Sequence, residues 1–312
     1  MDAFKVSFEV VAPLLILMAV GVLVRAVKLL SAETFSKMNR LIFFIGIPAL
    51  VFQSIVTSSL SFDGFWGFSL WIIIAFALVF ALLLLVVPRF EKDNRRRGVL
   101  VQGMVRSNDA VFGLAVAAAF PGENSLAVMA FAAALSVPVL NAIGVISMEV
   151  FRGERVKPLR LMLDILKNPI IIAVILGFIV KLSGLTLPKI IMVPVGHLAN
   201  MCTPLAFIIL GGILTRQSFM DNRKTLSVVC IFKLVVLPLL AVGAALLFGY
   251  RGDMLLAILI LFGAPTAMSS FPLAAAMGGD EALAGEQVAV TTALSLFSMF
   301  LFLFFMQLGG VL

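Results

Sequence analysis

The sequence predicts an all-α polytopic membrane protein of ten transmembrane helices, arranged as two inverted five-helix repeats. Three observations predict this fold class: the composition, the length of the apolar blocks and an internal repeat. The chain has 312 residues, of which 62% are hydrophobic and 12% are charged, and its mean hydropathy is +1.18. Soluble proteins have about 45–50% apolar and about 25% charged residues. The composition therefore excludes a soluble enzyme, a secreted disulfide scaffold and a disordered tail.

The apolar residues form blocks longer than about 18 residues, the length of a helix that crosses the bilayer core. The first block is too long for the apolar region of a signal peptide, so it is predicted to be a span. Ten spans are predicted, at residues 6–29, 33–58, 65–88, 98–120, 124–150, 168–187, 189–215, 224–249, 254–278 and 282–309. Between spans five and six, leucines at helical spacing among basic residues predict a short interfacial helix at 154–167.

The Lys and Arg residues predict the orientation of the chain. Seventeen of them lie on one set of loops and flanks, whereas the opposite set has four: Lys5, Lys181, Lys189 and Arg251. Because cytoplasmic loops carry the excess of Lys and Arg, the first set is predicted to be cytoplasmic and both termini to lie outside. Basic residues in such loops also explain the net charge of +7 without a nucleic-acid partner.

An internal repeat divides the chain into two halves. Four pairs of residues lie 156 positions apart: Pro13 and Pro169, Gly21 and Gly177, Arg25 and Lys181, Pro48 and Pro204. Residues 117–123 also resemble 274–280 at a spacing of 157. Chance matches are the alternative in spans rich in Ala, Leu and Gly. Because an odd number of spans inverts the second copy, the repeat predicts inverted halves at 1–150 and 168–312, joined by a linker at 151–167.

Spans four and nine are each interrupted near the centre by residues that disfavour a continuous apolar helix. Span four contains Arg106-Ser107-Asn108-Asp109, and span nine contains Gly263-Ala264-Pro265-Thr266, followed by Ser269. At the 157 spacing Asn108 pairs with Pro265, so the two breaks are expected at matching depths. Unwound backbone inside a membrane is tolerated where it lines a cavity or is buried in protein. The alternative is that Pro265 only kinks its helix and Asn108 only bonds to a neighbour.

Several polar residues are predicted at the same depth as these breaks. Arg106 lies nine residues beyond Arg97, and Lys233 lies nine beyond Lys224; Asn141, Thr291 and Thr292 are similarly deep. Two cations, an amide and hydroxyls at one level predict a site for an anion, since a guanidinium binds a carboxylate bidentately. Two alternatives stay open: Lys233 could extend to the interface, or Arg106 could pair with Asp109, in which case Asp109 would be the titrating group.

Signatures of enzymes are absent from the sequence. It contains no H-E-x-x-H, G-x-S-x-G or Walker A motif. Cys202 and Cys230 lie within apolar blocks, and the single histidine, His197, has no nearby nucleophile. The chain is therefore expected to be no enzyme, to use no cofactor or metal and not to hydrolyse ATP.

Five motifs in order along the chain resemble the auxin efflux carrier family, in particular its bacterial transporters of small organic acids. They are 39–52 (NRLIFFIGIPALVF), 106–114 (RSNDAVFGL), 168–169 (NP), 233–238 (KLVVLP) and 265–267 (PTA). The resemblance implies scaffold and transport domains, crossed helices four and nine, and elevator-type alternating access. It also implies carboxylate substrates such as malate, malonate or auxin-like acids, and a bacterial cytoplasmic membrane. One departure is Ala115, where the family usually has the proline that unwinds span four.

The sequence thus predicts a secondary carrier for a small organic anion. The predicted substrate-binding residues are Arg106, Asn108, Asp109, Asn141, Lys233, Pro265, Thr266 and Ser269. Besides the substrate and membrane lipids, a coupling proton or sodium ion and a homodimer are compatible with the sequence. Two rival functions are a sodium-coupled symporter of larger amphipathic anions, of the bile-acid-transporter type, and a membrane sensor or scaffold that does not translocate.

Overall fold

A computed structural model describes residues 2–57, 65–152, 169–213 and 222–312. Over these ranges the chain is helical, and the one β-type feature is an isolated bridge between Ser107 and Thr266. The helices of the first half are α1 (Asp2–Ala26), α2 (Ala32–Leu41), α3 (Ile47–Thr57), α4 (Phe65–Phe90), α5 (Asn94–Val105), α6 (Leu114–Ala119) and α7 (Ser125–Arg152). Those of the second half are α8 (Pro169–Leu182), α9 (Lys189–Ile213), α10 (Arg223–Ile231), α11 (Leu237–Leu247), α12 (Gly252–Gly263), α13 (Ser270–Ala276) and α14 (Glu281–Leu308).

Three short π-helical segments join some of these helices. They are Ile42–Gly46 between α2 and α3, Asp109–Gly113 between α5 and α6, and Phe232–Val236 between α10 and α11. Single π-helical turns inside helices are rare and are frequently found at functional sites. The sequence does not predict them, because they share no Pro or Gly signal.

Seven helical stretches in the described residues are long and apolar enough to cross a membrane. They correspond to predicted spans one, two, three, five, seven, eight and ten and confirm those as candidate spans: Ala3–Ala26, Glu33–Thr57, Phe65–Phe90, Ser125–Phe151, Lys189–Gly212, Arg223–Leu247 and Glu281–Leu308. Predicted spans four and nine are instead divided into shorter helices by non-helical residues. Predicted span six is observed as α8, of 14 residues. The predicted interfacial helix at 154–167 lies outside the described residues.

The outer surface of the helices is apolar, as a lipid-facing surface requires. On α4, Phe68, Ile72 and Phe76 are buried, whereas Leu78 and Leu85 are each 65% exposed. A hydrophobic helix whose outer face meets lipid has no need of a polar face, because lipid tails are as apolar as leucine. The polar residues that are buried therefore stand out, and they concentrate where α5 and α12 end.

The helices form two sets by their contacts. The first set consists of α1, α2, α3, α8 and α9, in which α1 packs on α9 and α3 on both α8 and α9. The second set holds α4 to α7 and α10 to α14, in which α7 contacts α4, α5 and α12. Both breaks belong to the second set. Helix α9 of the first set contacts α6 and the π-helical segment Asp109–Gly113, which follow the break of span four.

Candidate functional site

The two interrupted helices meet at their breaks. Helix α5 ends at Val105, and the extended residues after it pair with those that follow α12. The Asn108 backbone N–H donates to the Pro265 carbonyl at 2.8 Å, and the Ala267 N–H donates to the Arg106 carbonyl at 3.3 Å. Backbone groups freed by the two breaks therefore satisfy each other, as buried polar backbone must.

Different residues open the two breaks. Pro265 cannot donate a backbone hydrogen bond, and the residue before a proline disfavours helical geometry; Ala264 accordingly is extended, with φ −64° and ψ 153°. Span four has no proline, yet Arg106 is also extended, with φ −68° and ψ 127°. The Asn108 carbonyl then accepts from the N–H groups of Phe112 and Gly113 and starts the next helical segment. Ala115 in place of the family proline thus leaves the break of span four intact.

A cavity of about 210 Å³ lies on one side of this crossing. Half of its lining residues are polar: Asn39, Arg106, Ser107, Asn108, Asp109, Asn141 and Ser269. The apolar half consists of Phe43, Ala110, Val111, Val137, Leu140, Ala267 and Met268. Asn39 and Phe43 come from the first set of helices and the others from the second, so the cavity lies between the two sets.

Arg106 supplies a buried guanidinium to the cavity wall, with an exposed fraction of 3%. Its Nη2 donates to Ser269 Oγ at 2.7 Å and to Asn141 Oδ1 at 3.0 Å. Its Nη1 donates to Gln102 Oε1 at 3.2 Å and to Ser270 Oγ at a long 3.5 Å. All four partners are neutral, and among the described residues no acidic side chain lies within 4.0 Å of the guanidinium.

The side chain of Arg106 reaches these partners across a glycine of α7. A Cβ atom on Gly144 would lie 2.9 Å from Arg106 Cδ and 3.1 Å from Nε. A larger residue there would require the Arg106 side chain to shift, so Gly144 contributes to the position of the guanidinium. The sequence gives no signal for this role.

Asp109 also lines the cavity, but it does not pair with Arg106. Its Oδ2 accepts from the Ser136 hydroxyl at 2.6 Å, and its Oδ1 is buried with no hydrogen-bond partner in the described part of the chain. The structure therefore contradicts the alternative in which an Arg106–Asp109 ion pair leaves no free charge. That alternative assumed a continuous helix; the break at residues 106–108 turns the two side chains to different partners.

Lys233 lies behind the crossing and is not among the residues that line the cavity. Its ammonium is fully buried and donates to the Val105 carbonyl at 3.2 Å and to the Ser107 hydroxyl. The alternative in which Lys233 extends to the interface is therefore wrong. A cation at the C-terminal end of α5 meets the negative end of the helix dipole, so Lys233 stabilises the break.

Pro265 and Thr266 also lie behind the cavity, within the crossing itself. The Thr266 hydroxyl donates to the Gly103 carbonyl at 2.8 Å, and its N–H donates to Thr291 Oγ1 at 3.0 Å. Of the eight predicted site residues, five therefore line the cavity: Arg106, Asn108, Asp109, Asn141 and Ser269. The other three hold the backbone of the crossing.

Five polar residues of the site are not among the eight predicted binding residues. Ser107, named above only as part of the break in span four, lines the cavity. Gln102 and Ser270 bind the guanidinium, Ser136 binds Asp109, and Asn39 lines the cavity from the first set of helices. Gln102 could have been found, because it lies one helical turn before Arg106. Ser136 and Asn39 had no such signal, since single polar residues are common in spans and their partners are distant in sequence.

Comparison with known proteins gives two findings. The model of a family described as membrane transport protein matches residues 6–303. A protein of Methanothermobacter thermautotrophicus, named as an uncharacterized transporter, is 25% identical to this chain over 302 residues. The matched region covers 95% of this chain and 97% of that protein.

Proposed function

The chain belongs to the membrane transport protein family, that of the auxin efflux carriers, and we propose that it is a secondary carrier for a small organic anion. It is an integral membrane transporter and not an enzyme. The single observation that carries the proposal of an anion is Arg106, a buried guanidinium in a cavity wall whose protein partners are all neutral.

The charge at the crossing favours an anionic ligand. Arg106 and Lys233 contribute two positive charges, and Asp109 contributes one negative charge, so these three groups leave one positive charge in excess. A buried charge without a counter-ion is costly, and a bound carboxylate removes that cost. The hydroxyls of Ser269 and Ser270 can give up their bonds to the guanidinium, because a carboxylate oxygen is the stronger acceptor.

The size of the cavity favours a small substrate. Its volume of about 210 Å³ is below the about 300–1,000 Å³ of sites for drug-sized ligands. Mono- and dicarboxylates of a few carbon atoms fit this range, such as malate, malonate or, at the upper limit, an auxin-like acid. A large amphipathic anion of the bile-acid type fits it poorly, which disfavours the sodium-coupled symporter of such anions.

Alternating access is proposed to occur by an elevator movement of one set of helices against the other. Because the cavity lies between the two sets, sliding the second set along the first would carry a bound anion across the membrane. The first set would be the scaffold and the second, which contains both breaks, the transport domain. We infer no coupling ion from the site, and uptake with and without a sodium gradient distinguishes a symporter from a uniporter.

Contacts between helices support the inverted repeat proposed for residues 1–150 and 168–312. Helix α1 of the first half packs on α9 of the second, as α8 of the second half packs on α3 of the first. Likewise α4 contacts α5 as α11 contacts α12. The antiparallel pairing of Arg106–Asn108 with Pro265–Ala267 is the arrangement that a two-fold axis through the crossing would produce. Ten spans, with both termini outside the cytoplasmic membrane, complete the proposal.

Removal of the charge of Arg106 tests the proposed function. We expect Arg106→Gln to reduce uptake of radiolabelled L-malate or malonate into proteoliposomes by at least about 100-fold, because a charge-assisted bidentate pair is lost. Arg106→Lys should restore part of it. Arg251→Gln is the matched control, since Arg251 is exposed, lies outside the cavity lining and donates to the Leu246 and Tyr250 carbonyls. Undiminished uptake by a folded Arg106→Gln protein would contradict the assignment, and saturable binding without passage into sealed vesicles would favour a sensor.

A further inference from the structure

Four residues that line the cavity have buried polar atoms without a hydrogen-bond partner among the described residues. The atoms are Asp109 Oδ1, Asn39 Oδ1, Asn108 Nδ2 and Arg106 Nε. Asp109 and Asn108 are 1% and 6% exposed. Native proteins leave few such atoms unsatisfied, and each one calls for an explanation. Their residues line one cavity, so a ligand bound there can pair with several of these atoms.

The chemistry of these atoms is specific. An ionised carboxylate only accepts hydrogen bonds, and Ser136 fixes that of Asp109 by donating to Oδ2 at 2.6 Å. The Oδ1 that remains is an acceptor, as is Asn39 Oδ1, whereas Asn108 Nδ2 is a donor. The carboxylate of a substrate matches Arg106 and Asn108, but it has nothing to donate to Asp109 and is repelled by it.

We infer that the substrate is a hydroxy acid, a carboxylate with a hydroxyl on a neighbouring carbon; this inference rests on the proposed function. The carboxylate binds the guanidinium of Arg106 and Nδ2 of Asn108. The hydroxyl donates its one proton to Asp109 Oδ1. Asp109 is thus a specificity-determining residue, because its carboxylate accepts a hydrogen bond from a substrate hydroxyl and repels an acid that has no hydroxyl to donate.

An ammonium group could also donate to Asp109, but the local charge disfavours it. The guanidinium of Arg106 lies in the cavity wall and the ammonium of Lys233 lies behind the crossing, so the site already has an excess positive charge. A second cation on the substrate would remove the net attraction between substrate and site. A neutral hydroxyl keeps that attraction.

Matched pairs of acids test the inference on the purified full-length protein. Titration calorimetry compares L-malate with succinate and L-lactate with propionate, which differ only by the hydroxyl. We expect the hydroxylated acid of each pair to bind about 10- to 100-fold more tightly, because the acid without it leaves Asp109 unpaired.

Asp109→Ala supplies a second readout that loss of stability alone would not give. In this variant malate should bind more weakly, because its hydroxyl loses the carboxylate acceptor. Succinate should bind more tightly, because the repulsion by the Asp109 charge is removed. The affinities for the two acids should therefore come within about threefold of each other. Asp253→Ala is the matched control. Asp253 also accepts from a serine, Ser125, but neither residue lines the cavity, so the preference for malate should be kept.

Equal or tighter binding of succinate and propionate to the wild-type protein would overturn the inference, and so would an undiminished preference in Asp109→Ala. Either result would leave the proposed function intact if binding still requires Arg106. If none of the four acids binds the wild-type protein, the proposed anion site itself fails. Because the comparison of acid pairs needs only the wild-type chain, poor folding of Asp109→Ala does not prevent the test.

Discussion

At the scale of single residues, the site is defined by charges that are buried without opposite partners. Charged side chains within a membrane are costly and are retained mainly where they serve function. Arg106 is held by four neutral groups and Lys233 by a carbonyl and a hydroxyl. The two cations have different roles: Arg106 faces the cavity, whereas Lys233 stabilises the backbone that presents it.

Lys233→Met tests the role of the second cation. The substitution keeps most of the side-chain volume but removes the bonds to Val105 and Ser107 and one positive charge. We expect the affinity for a carboxylate to fall by about 10-fold, because the site loses one positive charge and the residues at the break lose their hydrogen bonds to the ammonium. Stability should change little, because the variant no longer buries a charge. Titration with a carboxylate measures the affinity, and thermal unfolding measures the stability.

Lys189→Met, at the exposed start of α9, is the control for the loss of one positive charge. It should bind the carboxylate as the wild type does. Equal affinity of Lys233→Met and the wild-type protein would show that Lys233 neither attracts the anion nor positions Arg106.

The sequence could predict one contact of the site closely. The 157-residue spacing paired Asn108 with Pro265, and in the structure the N–H of the first donates to the carbonyl of the second at 2.8 Å. The side-chain partners could not be predicted in the same way. Which hydroxyl meets Asp109 depends on the rotation of α7 about its axis, and a spacing along the chain does not determine that rotation.

At the scale of elements, the π-helical segments concentrate the residues of the site. Phe43 of segment Ile42–Gly46 lines the cavity, and so do Asp109 to Val111 of segment Asp109–Gly113. Lys233 lies in segment Phe232–Val236. A π-helical turn rotates the side chains after it relative to a regular helix, because it inserts one extra residue. The site therefore depends on local departures from the helical period, which hydrophobic periodicity alone cannot reveal.

The packing of α1 on α9 gives an element-scale prediction. A Cβ on Gly21 would lie 1.9 Å from the Ile208 carbonyl oxygen, so even alanine must push the two helices apart. We expect Gly21→Ala to lower the free energy of unfolding by about 1–3 kcal/mol, as overpacking typically does. Unfolding in mixed micelles with increasing SDS measures the change.

Gly243→Ala is the control for the Gly21 variant. Gly243 is also inside a helix, α11, but a Cβ there would meet nothing within 4 Å. Because alanine has the higher helix propensity, this variant should be as stable as the wild type or more stable. If both substitutions had the same effect, close packing of α1 on α9 would not explain the role of Gly21.

At the scale of the whole molecule, the two sets of helices meet both at the cavity and along α1 and α14. Phe4 of the first set packs edge-to-face on Phe300 of the second, with ring centroids 5.7 Å apart. An elevator movement requires this contact to slide. A covalent link across it should therefore hold the carrier in one state.

Cross-linking tests that movement. We expect a short bifunctional thiol reagent to abolish uptake by a protein with Phe4→Cys and Phe300→Cys in a Cys202→Ala, Cys230→Ala background, while a reducible reagent allows recovery. The control pair, Phe65→Cys and Phe131→Cys, joins α4 and α7 within the second set, where the rings are 4.7 Å apart. Full uptake by the cross-linked first pair would exclude relative movement of the two sets at this contact.

The sequence predicted the membrane class and seven of the spans because composition and block length determine them directly. It predicted α8 less well: the apolar block runs from 168 to 187, but the described helix ends at Leu182, before Gly184, which adopts a φ of +67°. The sequence did not predict which helices belong to which of the two sets, since hydrophobic faces that meet lipid and faces that meet protein have the same composition.

The most direct measurement of the central claim is an experimental structure of the purified protein with L-malate bound. The anion should lie in the cavity beside the crossing, with a carboxylate on Arg106 and no direct contact with Lys233. Malate bound elsewhere, or in this cavity without contact to the Arg106 guanidinium, would contradict the assignment of the anion site.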